Sequence, residues 1–411
     1  MLGREDAITV AKGRLLLLEN IVFRTGTEEL PIEEAYERVA AEDIISPENL
    51  PGFNRSTVDG FAVIASDTFG STESMPAYLE IAGEVLMGEE PRFKITAGKA
   101  IRIATGGMLP EGADAVVMLE NVQFLEEIIE ILKPVAPGEN VIFADEDVKK
   151  GELIIRKGMR LRPQDIAALA AVGIIKVRVY RKPRVSIIST GDEIIPASIP
   201  ARPGKVRDIN SYNLAGLVLR SGGIPIKKGI FRDVYEDIKN IMEESLKNSD
   251  MILITGGSSV GLKDLTKSVI NSLGSPGVLF HGLNLKPGKP TIGAVIEGIP
   301  VIGLPGHPAA VSVCFELFVE PLISFLSGEN KRDLPQKVKL KARLSKNLSS
   351  IQGREEHVRV RIEEREGELW AEPVLGKSGL IRTLVMADGK IAIPSHIRGI
   401  EAGEVVEVTL F

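Results

Sequence analysis

Residues 251–268 read Met-Ile-Leu-Ile-Thr-Gly-Gly-Ser-Ser-Val-Gly-Leu-Lys-Asp-Leu-Thr-Lys-Ser. A continuous apolar run is the mark of a parallel strand buried on both faces. Here it ends in Thr255-Gly256-Gly257-Ser258-Ser259-Val260-Gly261, and Asp264 follows. Glycines at a strand exit let the backbone turn sharply and come close to a ligand. The hydroxyls of Thr255, Ser258 and Ser259, with the free N–H groups of the next helix, suit an anion. Two further stiff loops follow, Lys286-Pro287-Gly288-Lys289-Pro290 and Leu304-Pro305-Gly306-His307-Pro308. Three such loops after apolar runs predict one shared crevice at the strand ends of an open α/β sheet.

Outward from this stretch, strands and helices alternate over about 179–328. Strands are expected at Val185–Ser189, Ile224–Ile230, Met251–Ile254, Ile292–Val295 and Val301–Leu304. Helices are expected at Tyr212–Arg220 (capped at Asn210), Val234–Leu246, Leu265–Leu273 and Ala309–Leu326. That order predicts a doubly wound, mostly parallel sheet with right-handed crossovers. Residues 51–137 read instead as short alternating strands separated by Gly, Pro and acidic turns, a β-rich insert. Residues 329–411 read as strands again and predict a small β-barrel or sandwich. Residues 1–50 and 138–178 are expected to form an elongated, largely helical linker, with helices at 5–22, Ile32–Val39 and Ile166–Ala171. The class is therefore α/β plus all-β, in several domains.

Composition narrows the function. At 411 residues the chain exceeds one ordinary core. A net charge of −6 argues against a general nucleic-acid or anionic-membrane binder, so any anionic ligand must be met by local lysines. The single cysteine, Cys314, rules out a disulfide or a cysteine-based metal site within one chain. Glu5 and Asp6, followed only by the run Leu15–Leu18, do not make a signal peptide, and no stretch is expected to span a membrane. The cytoplasm is the expected location.

Lys286 and Lys289, three apart around Pro287-Gly288, can clamp a phosphate. Acids also collect at the strand exits: Asp192 and Glu193 after Thr190-Gly191, Asp233 after Arg232, and Asp264. Carboxylates crowding an anion site repel it unless a hard cation lies between, and Mg²⁺ suits that role. Each acid reads equally as an exposed helix cap. His307 reads as a plain turn residue before it reads as a catalytic one. In the insert, Asp59-Gly60 fits a hairpin turn, while Thr105-Gly106-Gly107 and Asp145-Glu146-Asp147 alone would be turns and solvated charge.

The motifs together resemble the molybdopterin molybdenumtransferases, a family that includes the C-terminal domain of gephyrin. Ser56-Thr57-Val58-Asp59-Gly60-Phe61-Ala62-Val63 resembles the family's Ser-x-x-Asp-Gly-Tyr/Phe-Ala signature. Ile103-Ala104-Thr105-Gly106, Thr190-Gly191-Asp192-Glu193, the Thr-Gly-Gly loop ending at Asp264, Lys286–Pro290 and Leu304–Pro308 follow in the family's order. The resemblance implies four domains, a homodimer, and a site shared between the third domain of one subunit and the second of the other. It implies adenylylated molybdopterin and molybdate or tungstate as substrates, with Mg²⁺-dependent release of AMP. By the same resemblance Asp59, Glu193, Lys286 and Lys289 are the catalytic candidates and Asp233 and Asp264 the metal ligands. The substrate-binding candidates are Thr105, Asp147, Thr255, Gly256, Gly257, Ser258, Pro305, Pro308, Arg354 and Ser378. The molybdopterin adenylyltransferase and recipient molybdo- or tungstoenzymes are the implied protein partners. His307 stands where Asn is usual, Val58 where Met is usual, and Phe61 lacks a phenol hydroxyl. The alternative reading is a non-catalytic molybdopterin carrier or scaffold. A lone adenylyltransferase would need only the third domain.

Overall fold

The computed structural model describes residues 7–22, 25–256, 260–330 and 337–411, and within 260–264 the backbone alone. The stretch that opens the analysis forms the strand Met251–Gly256, buried along nearly its whole length. It lies inside a six-stranded sheet. Ile224–Phe231, Arg184–Thr190, Met251–Gly256 and Ile299–Leu304 run parallel in that spatial order. Ile292–Ile296 and Pro276–His281 then continue the sheet antiparallel. Pro276–His281 was not foreseen, because its half-buried, glycine-containing sequence gives no continuous apolar run. The apolar residues divide into two cores, one on each face of the sheet. Helices Asn210–Arg220, Tyr235–Asn248 and Val260–Ser272 fall where strand–helix alternation puts them.

Residues Pro308–Leu326 form one helix long and apolar enough to cross a bilayer, with a mean hydropathy of 1.8. This corrects the expectation that no stretch approaches a membrane span. Its apolar length is spent inside the protein, where 89% of that window is buried. Pro321 has no N–H to donate one turn back, and the turn before it, Phe315–Val319, is widened into a π segment. Helix Val10–Asn20, grouped above with the linker, packs on this same core. A side chain at Gly13 would meet the Phe318 and Phe280 rings at 3.1 and 3.2 Å.

The remaining N-terminal residues are less helical than their pattern suggested. Thr27–Pro31 pairs with Lys176–Tyr180, and Ile44–Ile45 with Leu153–Ile155. The helix expected at Ile32–Val39 is a single turn, Ile32–Glu34. Glu37 adopts a positive φ of 62°, and Val39 and Ala40 are drawn into β-bridges with Arg160 and Val179. Pro163–Ala171 is a helix as expected, opened by Asp165, which accepts from the Arg162 backbone N–H at 2.8 Å.

The β-rich insert is a six-stranded sheet in the order Ala115–Met118, Gly60–Val63, Lys99–Ile103, Ala77–Val85, Ile128–Ile131, Val122–Leu125. Gly60 is not a hairpin residue; it opens a fully buried strand between Ile103 and Met118. A Cβ there would lie 2.0 Å from the Val117 carbonyl oxygen, so close strand approach requires glycine. In the C-terminal region five strands close into a barrel: Glu355–Arg365, Glu368–Pro373, Lys339–Leu344, Val405–Leu410 and Gly389–Ile393. Leu285–Lys286 of the α/β domain adds a short parallel strand at its edge.

Gly60→Ala is expected to lower stability by at least about 1–3 kcal/mol, the usual cost of forcing extra atoms into a packed site. Urea unfolding followed by far-UV circular dichroism measures this, and an unchanged midpoint would contradict the strand assignment.

Candidate functional site

Register decides what can meet. Thr190 lies opposite both Phe231 and Gly256, and Thr255 opposite Leu304. The four parallel strands therefore end level, and their following loops share one edge. Gly256 has a φ of 141°, and a Cβ on it would fall 1.8 Å from the Thr190 carbonyl oxygen. Glycine is obligatory where these two exits cross.

Asn210 clasps the edge. Its Nδ2 donates to the Gly306 carbonyl at 2.8 Å and to Thr255 Oγ1 at 3.1 Å. Its Oδ1 is buried with no partner among the described residues. The helix cap expected of Asn210 is supplied by Asp208, whose Oδ1 accepts from the Ser211 N–H at 3.1 Å. Asp208 Oδ2 accepts from Ser189 Oγ at 2.9 Å, locking the helix to the neighbouring strand. Sequence reading missed this role because Asn before a helix is an ordinary capping signal.

Two adjoining cavities open on this edge. One of about 210 Å³ is lined by Thr190, Glu193, Asn210, Thr255, Gly256 and His307. The other, of about 600 Å³, lies between the α/β domain and the barrel. It gathers Lys286, Lys289, Pro305, Arg354 and Ser378. His307 lines both. Its Nδ1 shares a 2.9 Å hydrogen bond with Ser378 Oγ, and the Ala309 N–H donates to the Ser378 carbonyl at 3.2 Å. The histidine is thus neither a plain turn residue nor a free base; it fastens a barrel loop to the Pro305–Pro308 turn. Pro308 itself is buried as the first residue of its helix. Lys286 Nζ pairs with Glu356 of the barrel at 2.7 Å, and Ser350 Oγ donates to the other Glu356 oxygen at 2.9 Å.

Asp233 sits beside Asp192 and Glu193. Burial raises its pKa above the ordinary carboxylate value, and the two neighbouring carboxylates add to the rise. Hydrogen bonds with the Asp192 backbone and the Thr190 side chain offset part of the rise, and its Oδ1 is buried with no partner among the described residues. A proton or a cation relieves such a group. Mg²⁺ commonly takes one or two carboxylates and completes its shell with phosphates and water. The donor set fits that mode. No preformed cluster of three metal-binding side chains occurs among the described residues, so the ligand's own phosphates would have to complete the shell. The Asp264 side chain, Gly257 and Ser258 lie outside the described residues.

Asp59 and Thr105 are brought together, but elsewhere. Asp59 Oδ1 accepts from the Thr105 N–H at 2.7 Å and its hydroxyl at 2.9 Å. The backbone bond first, then the hydroxyl bond, hold this exposed carboxyl below its usual pKa, so it is ionised at neutral pH. Asp147 is held by its N–H to the Leu50 carbonyl at 3.1 Å. Neither cavity above includes Asp59, Thr105 or Asp147.

The comparisons with known proteins follow this layout. Residues 5–173 match the family described as "MoeA N-terminal region (domain I and II)". Residues 186–324 match a "Probable molybdopterin binding domain", and 341–411 a "MoeA C-terminal region (domain IV)". The molybdopterin molybdenumtransferase of Bacillus subtilis is 35% identical over 93% of this chain and 90% of its own length. The chain belongs to the molybdopterin molybdenumtransferase family. The namesake protein of Haemophilus influenzae is 33% identical, covering 98% of each chain. A crystal structure of the molybdopterin biosynthesis MoeA protein from Pyrococcus horikoshii superposes with a TM-score of 0.84 at 37% identity, covering 98% of this chain and 100% of that one. The chain is accordingly a transferase of molybdenum cofactor biosynthesis, with a molybdopterin-binding α/β domain and a closed five-stranded C-terminal barrel.

Two outcomes are expected. Asn210→Ala leaves the Gly306 carbonyl without its Asn210 donor and Thr255 Oγ1 with only its own bond to the Pro305 carbonyl, and should cost about 1–3 kcal/mol in chemical denaturation; parental stability would show the clasp to be incidental. Mg²⁺ should raise the Tm of the parent chain and not that of Asp233→Asn. An equal rise in both would remove Asp233 from the metal site.

Proposed function

We propose that the chain inserts molybdate or tungstate into adenylylated molybdopterin, with Mg²⁺-dependent release of AMP. The observation that carries this reading is the 600 Å³ cavity, where Lys286, Lys289, Arg354 and Ser378 converge beside the Pro305 turn. A cavity of that size suits a drug-sized ligand, and its cations suit a phosphorylated one. The glycine exit at Gly256 and the Thr255 hydroxyl adjoin it through His307.

In this reading the pterin and its phosphoanhydride lie along the strand-end edge, on Thr255, Gly256, Gly257, Ser258, Pro305 and Pro308. Lys286 and Lys289 stabilise charge that grows on the phosphoryl oxygens as the anhydride breaks. Arg354 and Ser378 position the pterin side from the barrel. Asp233, Asp264 and Glu193 would hold Mg²⁺, which neutralises phosphate charge when bound. Asp59, ionised and aligned by Thr105, faces the oxyanion or the attacking oxygen. Its place in another domain, outside the cavities of its own chain, supports a homodimer in which Asp59 of the partner subunit completes the site. Thr105 and Asp147 would support that shared edge. We further propose that the enzyme works in the cytoplasm, receives its substrate from a molybdopterin adenylyltransferase and passes its product to molybdo- or tungstoenzymes. A non-catalytic carrier would bind the same pterin and release no AMP.

The deciding assay adds molybdate, then tungstate, to the chain with adenylylated molybdopterin and Mg²⁺, and measures AMP. Oxyanion-dependent AMP is expected, and its absence with both oxyanions would leave only the carrier reading. Asp59→Asn should bind the adenylylated pterin normally and release little AMP; parental release would take Asp59 out of the chemistry. Lys289→Ala should weaken pterin binding roughly ten- to hundredfold, as expected for a lost charge-assisted bond of about 1.5–3 kcal/mol. A parental binding isotherm would contradict the phosphate clamp.

A further inference from the structure

One charge on the wall of the larger cavity has no counter-charge among the described residues. Arg359 lies on the Glu355–Arg365 strand and lines that cavity. It is 8% exposed, and its Nε is buried with no hydrogen-bond partner among the described residues. Burial alone pushes its pKa down, with no neighbouring carboxylate acting against it.

The charges around it are already matched. Lys390 stands opposite Arg359 in the strand pair, and Glu316 holds its ammonium at 2.6 Å. Lys337 is shared between Glu316 at 3.3 Å and Glu320 at 2.9 Å. Glu356 is taken by Lys286. His357, two residues before Arg359 on the same strand face, bonds Glu355 through Nε2 at 2.7 Å. Burial, only partly offset by Glu355, holds His357 below its ordinary pKa, so it is neutral near pH 7 and supplies no counter-charge.

A buried cation without a partner is costly, and the group is normally paired or bound to something. An open cavity of about 600 Å³ beside it supplies the room. A guanidinium presents a planar fork of donors that matches two oxygens of a phosphate or similar anion. We infer that Arg359 is a further anion-binding residue of this cavity, gripping two oxygens of a tetrahedral dianion that Lys286 and Arg354 meet from other sides. The dianion is either the metal oxyanion or a substrate phosphate. That assignment rests on the function proposed above; the binding of a dianion by Arg359 does not.

The test uses the full chain without pterin. Molybdate, tungstate and inorganic phosphate are titrated separately by calorimetry into the parent, Arg359→Met and Arg359→Lys, and the Tm of each is recorded with and without anion. The parent is expected to bind at least one dianion saturably and to gain Tm with it. Arg359→Met should bind it tenfold more weakly or worse, while its anion-free Tm is equal or higher, since a buried unpaired charge has gone. Arg359→Lys should fall between. Loss confined to molybdate and tungstate marks an oxyanion seat, and loss confined to phosphate marks a phosphate seat. No saturable binding by the parent, a Kd within twofold in Arg359→Met, or a fall in anion-free Tm with unchanged affinity would each overturn the inference. Should Arg359→Met fail to fold, parental affinity in Arg359→Lys would overturn it instead. Anion binding that needs Arg359, in a chain that releases no AMP, would sink the proposed reaction and leave this inference standing.

Discussion

The site depends on one small polar clasp. Asn210 joins the exit of one strand, at Thr255, to the turn that follows the next, at Gly306. Asp208, two residues earlier, fixes that helix start to Ser189 on a third strand. Three loops from different parts of the chain are thereby held together at one edge of the sheet. Buried hydrogen bonds contribute modestly when made and cost more when broken. The clasp therefore acts less as a source of stability than as a constraint on where the loops can be. Gly256 is the complementary constraint, because only a residue without Cβ lets the second exit pass the Thr190 carbonyl.

The barrel completes the cavity instead of merely flanking it. Leu285–Lys286 pairs with the barrel strand, Lys286 with Glu356, and His307 with Ser378. Deeper in the seam, Glu316 on the widened helical turn meets Lys390 of the barrel and Lys337. Burial works against the Glu316 carboxylate, and the two ammoniums outweigh it, holding its pKa below the ordinary value. A buried pair of this kind adds little net stability over apolar packing, yet removing one partner costs about 3–5 kcal/mol. The seam thus favours one seating of barrel on sheet, and that seating is what gives the larger cavity its wall.

Much of this was legible in the sequence, for physical reasons. The parallel strands are buried on both faces, so they announce themselves as apolar runs, and the glycines after them mark close approaches. The long apolar run of 308–326 was legible as a helix, though not as one passing for a membrane span. Other features were hidden. Asn210 carries the same signal as any helix cap, and Asp59-Gly60 the same signal as any hairpin; only the strand at Val117 shows why Gly60 is needed. Glu37 and the bridges at Val39 and Ala40 overrode a helical pattern that tertiary pairing does not respect. Nothing in the sequence marks Arg359 off from the other charges of the strand-rich C-terminal region, because alternation tells which face a residue shares but not whether its charge has a partner.

Diffraction from crystals of the chain grown with adenylylated molybdopterin and Mg²⁺ tests the shared crevice most directly. Phosphate density should lie within hydrogen-bonding reach of Lys286 or Lys289 and the Gly256 turn, with Asp59 of a neighbouring subunit facing it. Ligand density away from the seam between sheet and barrel, or Asp59 remote from the ligand in every subunit pairing, would contradict it.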